Sequence, residues 1–180
     1  MRRHIHHRWP GRLGYWSAMT ANPSAAALTA TIDLDALAHN IGVLRETSGT
    51  GVIAVVKADA YGHGAVPVAR AALAAGAEEL GVAHVTEALA LRQAGIDAHI
   101  TSWLHTPSTD FTAAVAAGID IAVSSPRQLA AVVKAAGEAG VTTMVTVKVD
   151  TGLNRSGVAV DEWDSMAVAL AKAQAQESIT

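Results

Sequence analysis

The chain has 180 residues, of which 51% are hydrophobic and 16% charged, which excludes a disordered or highly charged polypeptide. Cysteine is absent, so disulfides, thiolate metal sites and a cysteine nucleophile are excluded. Gly, Pro or a charge cuts every apolar run short of the roughly 20 residues of a membrane span, and a formal charge of −3 gives no basis for a nucleic-acid partner.

Residues 1–18 hold four arginines and three histidines with no acid, whereas the remainder holds 9 Lys+Arg against 16 Asp+Glu. This leader lacks the apolar centre of a signal peptide. Residues 1–27 read as a basic, disordered leader and linker, with Met19 as the natural start and His4, His6 and His7 as part of the tail. Residues 28–180 read as the folded part, in a soluble, cytoplasmic protein.

The first periodic segment covers residues 33–45, where Leu37, Ile41 and Leu44 fall at i, i+4 and i+7, with Asp33 or Asp35 as its cap. Residues 52–56 form an unbroken apolar run, the pattern of a parallel strand covered on both faces. It stops at Lys57 and a glycine-bearing loop, and a helix over residues 66–75 ends at Gly76. The unit then recurs. Residues 80–83 read as a strand, followed by a helix to Gln93 with Thr86 as its cap. Residues 98–103 form a third strand, with a helix over 109–117 behind it. Residues 120–123 form a fourth, followed by a helix from Ser125-Pro126 to about Ala136. Residues 142–149 form a fifth, and Asp161 opens a fifth helix with Trp163, Met166, Ala167 and Leu170 on one face.

Five βα units in series mean a parallel sheet with helices outside. An open doubly wound sheet and a (β/α)8 TIM-type barrel both fit, and no G-x-G-x-x-G follows the first strand. Eight units at this spacing need roughly 180 residues beyond position 52, and 129 are present. The expectation is therefore an incomplete barrel of about five units. The 39 alanines are expected largely in the helices that coat it.

In such sheets reactive groups gather at the C-terminal ends of strands. Lys57 directly follows the first apolar run. Desolvation favours its neutral amine, which can form a Schiff base with an aldehyde cofactor such as pyridoxal phosphate. Tyr61 follows four residues on, and Gly62 and Gly64 allow close backbone approach to a ligand. The structural alternative is a surface lysine at a strand end. At the fifth strand, Thr146, Lys148 and Asp150 alternate with valines, so all three project from one face. Buried charge there needs partners, and Arg155 is placed to reach back. A structural ion pair is the competing reading. His84, His105 and Asp59 read as loop or cap residues, and no metal is expected.

The run Val55-Val56-Lys57-Ala58-Asp59-Ala60-Tyr61-Gly62-His63-Gly64 closely resembles the cofactor-lysine signature of alanine racemases. Lys148-Val149-Asp150-Thr151-Gly152-Leu153-Asn154-Arg155-Ser156-Gly157 resembles the family's second signature, in the right order and separation. Asp59 and Asn154 stand where other members often have Asn and Gly, and neither change touches the chemistry. The resemblance covers about residues 28–180. It implies a pyridoxal phosphate-binding (β/α)8 barrel followed by a β-rich C-terminal domain that is missing here. The family works as a cytoplasmic homodimer that interconverts L-alanine and D-alanine for peptidoglycan.

By that resemblance Lys57 holds the cofactor and exchanges the Cα proton on one face. Tyr61 contacts the cofactor phosphate, and Arg155 lies near the cofactor's phenolic oxygen and the substrate carboxylate. Lys148 matches a lysine that is often carbamylated in the family. The second base is a tyrosine from the C-terminal domain of the partner subunit, which neither Tyr15 nor Tyr61 matches. The chain is thus expected to be incomplete and inactive alone. The alternative is a non-catalytic, homeostasis-type pyridoxal phosphate-binding barrel.

Overall fold

The computed structural model describes residues 30–180, so the expected leader lies outside the described residues. Helix α1 (Leu34–Ser48) begins at Asp33, whose carboxylate accepts the N–H groups of Asp35 and Ala36, and Gly49 ends it at φ 65°. Ile41 is buried against Ala72 and Ala77, with Leu37 beside it, but Leu44 is 56% exposed. The inward stripe of α1 is therefore narrower than the periodicity implies.

Five strands follow: β1 (Ile53–Val55), β2 (Glu79–Val82), β3 (His99–Ser102), β4 (Asp120–Val123) and β5 (Val145–Val147). They are joined through the short turn α2 (Lys57–Gly62) and helices α3 (Ala65–Ala74), α4 (Val85–Gln93), α5 (Thr112–Ala116) and α6 (Pro126–Ala139). Helix α7 (Trp163–Ala175) closes the series after a 3-10 turn at Val160–Glu162. All four strand pairings are parallel and the spatial order is β1-β2-β3-β4-β5. A doubly wound sheet reverses its order at a switch point. This one never reverses, and the two architectures open to the sequence reduce to a barrel segment. Residues 178–180 continue the progression: Val145 N–H donates to Thr180 O at 3.0 Å, and Thr143 and Ile179 form a parallel bridge.

The register rows separate two faces. Ala54, Leu80 and Ile100 lie in one row, and Ile121 and Val123 project the same way. These meet the helices, where Ala69, Ala88, Ala114 and Ala136 are fully buried. Small side chains let helix backbones approach the sheet closely, which accounts for the alanine excess. The other face carries Ile53, Val55, Gly81, Thr101 and Thr146. Ile53 and Val55 are 47% and 38% exposed there. Strand β1 is thus covered on one face rather than two, because every helix packs on the same side. Among the described residues no helix is long and apolar enough to cross a membrane.

Two boundaries differ from expectation for physical reasons. The α4 cap is His84, not Thr86, because Glu87 reaches back to the His84 N–H at 3.0 Å. Helix α5 starts at Thr112 rather than 109, because residues 106–109 form a hydroxyl-bonded turn in which Thr109 Oγ1 accepts the Thr106 N–H.

Arg92 ties two helix ends together. Its guanidinium donates to the carbonyls of Ile96 and Ala98 at 2.7 Å, Gly118 at 3.0 Å and Ala117 at 3.1 Å. Ile96 and Ala98 lead from α4 into β3, and Ala117 and Gly118 lead from α5 into β4. Arg92→Ala leaves four acceptors unserved and should destabilise the fold by about 2–4 kcal/mol in urea unfolding. Arg92→Lys should recover little, since one ammonium cannot span four carbonyls. A loss below about 0.5 kcal/mol would show that water replaces the clamp.

Candidate active site

Strand β1 delivers Lys57 to the C-terminal rim of the sheet. The Val56 N–H extends the ladder to Gly81 O at 2.9 Å, Val56 is buried, and Lys57 stands half-buried beyond it. The next four residues take an unusual path. Ala58, Asp59, Ala60 and Tyr61 have φ of 52°, 54°, 51° and 56°, a left-handed turn without a glycine. Left-handed helical backbone costs L-residues about 1–2 kcal/mol each, so surrounding bonds must hold it.

Those bonds are specific. Ala60 N–H donates to Val56 O and Gly64 N–H to Asp59 O, both at 2.9 Å. Asp59 Oδ1 accepts the Ala65 N–H at 2.6 Å, so this carboxylate starts α3, in keeping with its reading as a cap. His63 Nδ1 lies 2.9 Å from Ala60 O and 3.2 Å from Tyr61 O, so that nitrogen carries the proton. Finally, Glu87 Oε1 accepts the Ala58 N–H at 2.8 Å. The left-handed path turns Tyr61 back toward its neighbour, with Lys57 Nζ 5.8 Å from the Tyr61 ring centre.

Glu87 spans two strand ends. Its Oε2 also accepts the N–H groups of Ala83 at 2.8 Å and His84 at 3.0 Å. Burial alone raises the carboxyl's pKa, but the N–H groups of Ala58, His84 and Ala83 outweigh it and hold it below the usual range. Sequence reasoning passed over this residue. Its signal was the spacing of a glutamate three residues after a helix cap.

At the rim of β5, Lys148 Nζ donates to Ser156 Oγ at 2.7 Å and to Trp103 O at 3.1 Å. Burial, and then the nearby Arg155 charge, hold its pKa below the ordinary lysine value. The following loop closes on itself: Val158 N–H donates to Lys148 O at 2.7 Å, and Asp150 N–H to Val158 O at 3.2 Å. Gly157 sits at φ 140°, and a Cβ there would strike the backbone of Val149 and Asp150. Asp150 does not pair with Arg155. Its Oδ1 accepts the N–H groups of Gly152 at 2.9 Å and Asn154 at 3.1 Å, which hold its carboxyl below the usual range. The loop's own amides satisfy the acid, and Arg155 stays exposed. Thr146 is exposed on the open face, as the alternation implied.

The two loop histidines divide. His84 Nδ1 lies 3.1 Å from Leu104 O. His105 is only half satisfied: Nε2 lies 3.1 Å from Ser102 O, while buried Nδ1 has no partner. Burial holds its pKa below the ordinary value, and its ring meets Phe111 edge-on at 5.0 Å.

The rim thus presents two amines on opposite edges of one sheet, one on a strained turn and one beside a free guanidinium. This arrangement suits a carbonyl-reactive, anion-binding site. Residues 32–179 match the family model described as "Alanine racemase, N-terminal domain". The alanine racemase of Mycolicibacterium smegmatis is 56% identical over 162 residues, covering 89% of this chain and 42% of the relative. The crystal structure of alanine racemase from Streptomyces lavendulae superposes with a TM-score of 0.81 at 45% identity, covering 83% of this chain and 39% of that one. A histidine racemase from Leuconostoc mesenteroides reaches 0.72 at 31% identity, covering 81% and 39%. The chain therefore spans about two fifths of the length of these relatives. A model matched across nearly all described residues, and a sheet whose order never reverses, give one conclusion: the chain belongs to the alanine racemase N-terminal domain family.

Proposed function

We propose that this chain is the lysine-bearing part of the barrel of a pyridoxal phosphate-dependent alanine racemase, supplying D-alanine for peptidoglycan. The observation that carries the reading is Lys57, held at the C-terminal rim of β1 by a left-handed turn that brings Tyr61 beside its amine. In this reading residues 28–180 are the first part of the barrel, within a cytoplasmic homodimer, and residues 1–27 precede it as leader and linker.

The residues present fit the cofactor. Among the described residues Lys57 Nζ makes no ion pair, so its amine is open to an aldehyde. Tyr61 is 62% exposed, with Gly62 and Gly64 at φ 83° and 92° leaving the backbone bare beside it. Lys57 would hold the cofactor, and Tyr61 would donate to its phosphate. Arg155 would meet its phenolic oxygen and the substrate carboxylate. When bound, the cofactor's conjugated ring takes up the electron pair left at Cα as the proton departs.

The chain's own residues orient and move the proton. Lys57 Nζ exchanges it on one face of Cα. Strands one and five of an eight-stranded barrel stand opposite each other, so Lys148 and Arg155 face Lys57 across the mouth. Burial holds the Lys148 pKa below the ordinary lysine value, the direction that favours carbamylation, and the resulting anion would steady Arg155. The second base, for the other face, comes from the partner subunit. The full-length protein supplied with pyridoxal phosphate should interconvert L- and D-alanine. Histidine racemised in preference to alanine would redirect the substrate, and no exchange of any amino acid would overturn the proposal.

A further inference from the structure

We infer that Glu87 is a positioning residue for Lys57: its carboxylate clips the peptide that follows the lysine to the end of the neighbouring strand, and so aims the amine. The inference rests on the reading of Lys57 as the cofactor-bearing amine. The clip closes on the Lys57–Ala58 peptide. Its N–H donates to Glu87 Oε1 at 2.8 Å, across 29 positions of sequence. The left-handed path begins at Ala58, with φ 52° and ψ 48°. The later N–H groups are held locally, Ala60 by Val56 O, Gly64 by Asp59 O and Ala65 by Asp59 Oδ1. This first peptide is held from outside. Its orientation sets the direction in which Lys57 leaves β1.

The second oxygen of the carboxylate is fixed as well, by Ala83 N–H at 2.8 Å and His84 N–H at 3.0 Å. Both amides belong to the rim of β2 and the start of α4. One rigid helix position therefore references the lysine's peptide to the adjacent strand, which pairs with β1 in parallel. A glutamate serving α4 alone needs only the His84 N–H. The contact to Ala58 adds nothing to that helix.

Glu87→Gln separates the two roles. Its single carbonyl oxygen stays with the two amides of Ala83 and His84, and its NH2 group, left facing Ala58, cannot accept that donor. The full-length protein and this variant are compared in two ways. Hydrogen exchange is followed in the segment 57–62 and in α4, and adduct formation with pyridoxal phosphate is followed by borohydride trapping at Lys57. The expected result is about tenfold faster exchange in 57–62, α4 unchanged, and adduct formation at Lys57 slowed about tenfold. Under saturating cofactor kcat should fall with KM little changed. Wild-type exchange in 57–62 and wild-type trapping would overturn the inference, as would loosening confined to α4. The wild-type protein alone gives a second test: its Ala58 amide must be protected, and rapid exchange there contradicts the clip even if the variant does not fold. No adduct at Lys57 in the wild type would sink the cofactor reading itself. Exchange at Ala58 would still decide whether Glu87 holds the turn.

Discussion

Lys57→Ala in the full-length protein is expected to remove the visible absorbance of the bound cofactor and to lower racemisation by at least about 10³-fold. On the proposed function two roles are lost together: the covalent anchor and the base on one face of Cα. The structure gives no substitute within the turn. Ala58, Asp59 and Ala60 hold no amine, and His63 spends its Nδ1 proton on the carbonyls of Ala60 and Tyr61. Lys148, the other amine of the rim, is bonded to Ser156 and Trp103 at the far edge of the sheet. Lys134→Ala supplies the control, because that lysine is exposed on α6 and pairs with Glu138 at 3.3 Å. It should leave spectrum and rate unchanged. An unaltered spectrum in Lys57→Ala would remove the lysine from the mechanism.

The second large effect concerns the 180-residue chain on its own. Racemisation takes a proton from one face of Cα and returns one to the other, so bases are needed on both sides. Lys57 supplies one. Tyr61 cannot supply the other, because it shares the lysine's turn, with its ring centre 5.8 Å from Nζ. Tyr15 is the only other tyrosine in the sequence and lies outside the described residues. The isolated chain, incubated with pyridoxal phosphate and L-alanine, should form no D-alanine above the rate of cofactor alone. Exchange of the Cα hydrogen with retained configuration is the furthest that one base can take it. Formation of D-alanine would mean that a base on the opposite face is already present.

Much of the fold was legible because the physics that sets it is local. Strand β4 was read to the residue, since Asp120–Val123 is bounded by Gly118 and by Ser125-Pro126 and is buried throughout. Strands β1 and β5 came out shorter than the segments 52–56 and 142–149 read for them. Val52 and Val56 flank the paired residues of β1, and a run of valines does not mark where a ladder starts. Only one face of β1 is covered in this segment, and the other is the face that a closed barrel would enclose. Unbroken apolarity records a hydrophobic environment, not which faces the helices occupy.

At the site the split is sharper. Residue types at strand ends named Lys57 and Lys148 as candidates, and Asp59 was understood as a cap. The left-handed turn was not legible. Alanine, aspartate and tyrosine have no preference for φ near +50°, and the bonds that impose it come from Glu87 and from the start of α3. Arg155 does not reach back to Asp150, because a carboxylate in a tight loop takes the nearest N–H groups before a distant guanidinium.

The most direct test of the central claim is to load the full-length protein with pyridoxal phosphate, reduce it with borohydride and map the labelled peptide. The account predicts a phosphopyridoxyl group on Lys57, in the peptide that continues through Ala58, Tyr61 and Gly64. Label on Lys148, on exposed Lys134 or Lys172, or on no lysine at all would contradict it.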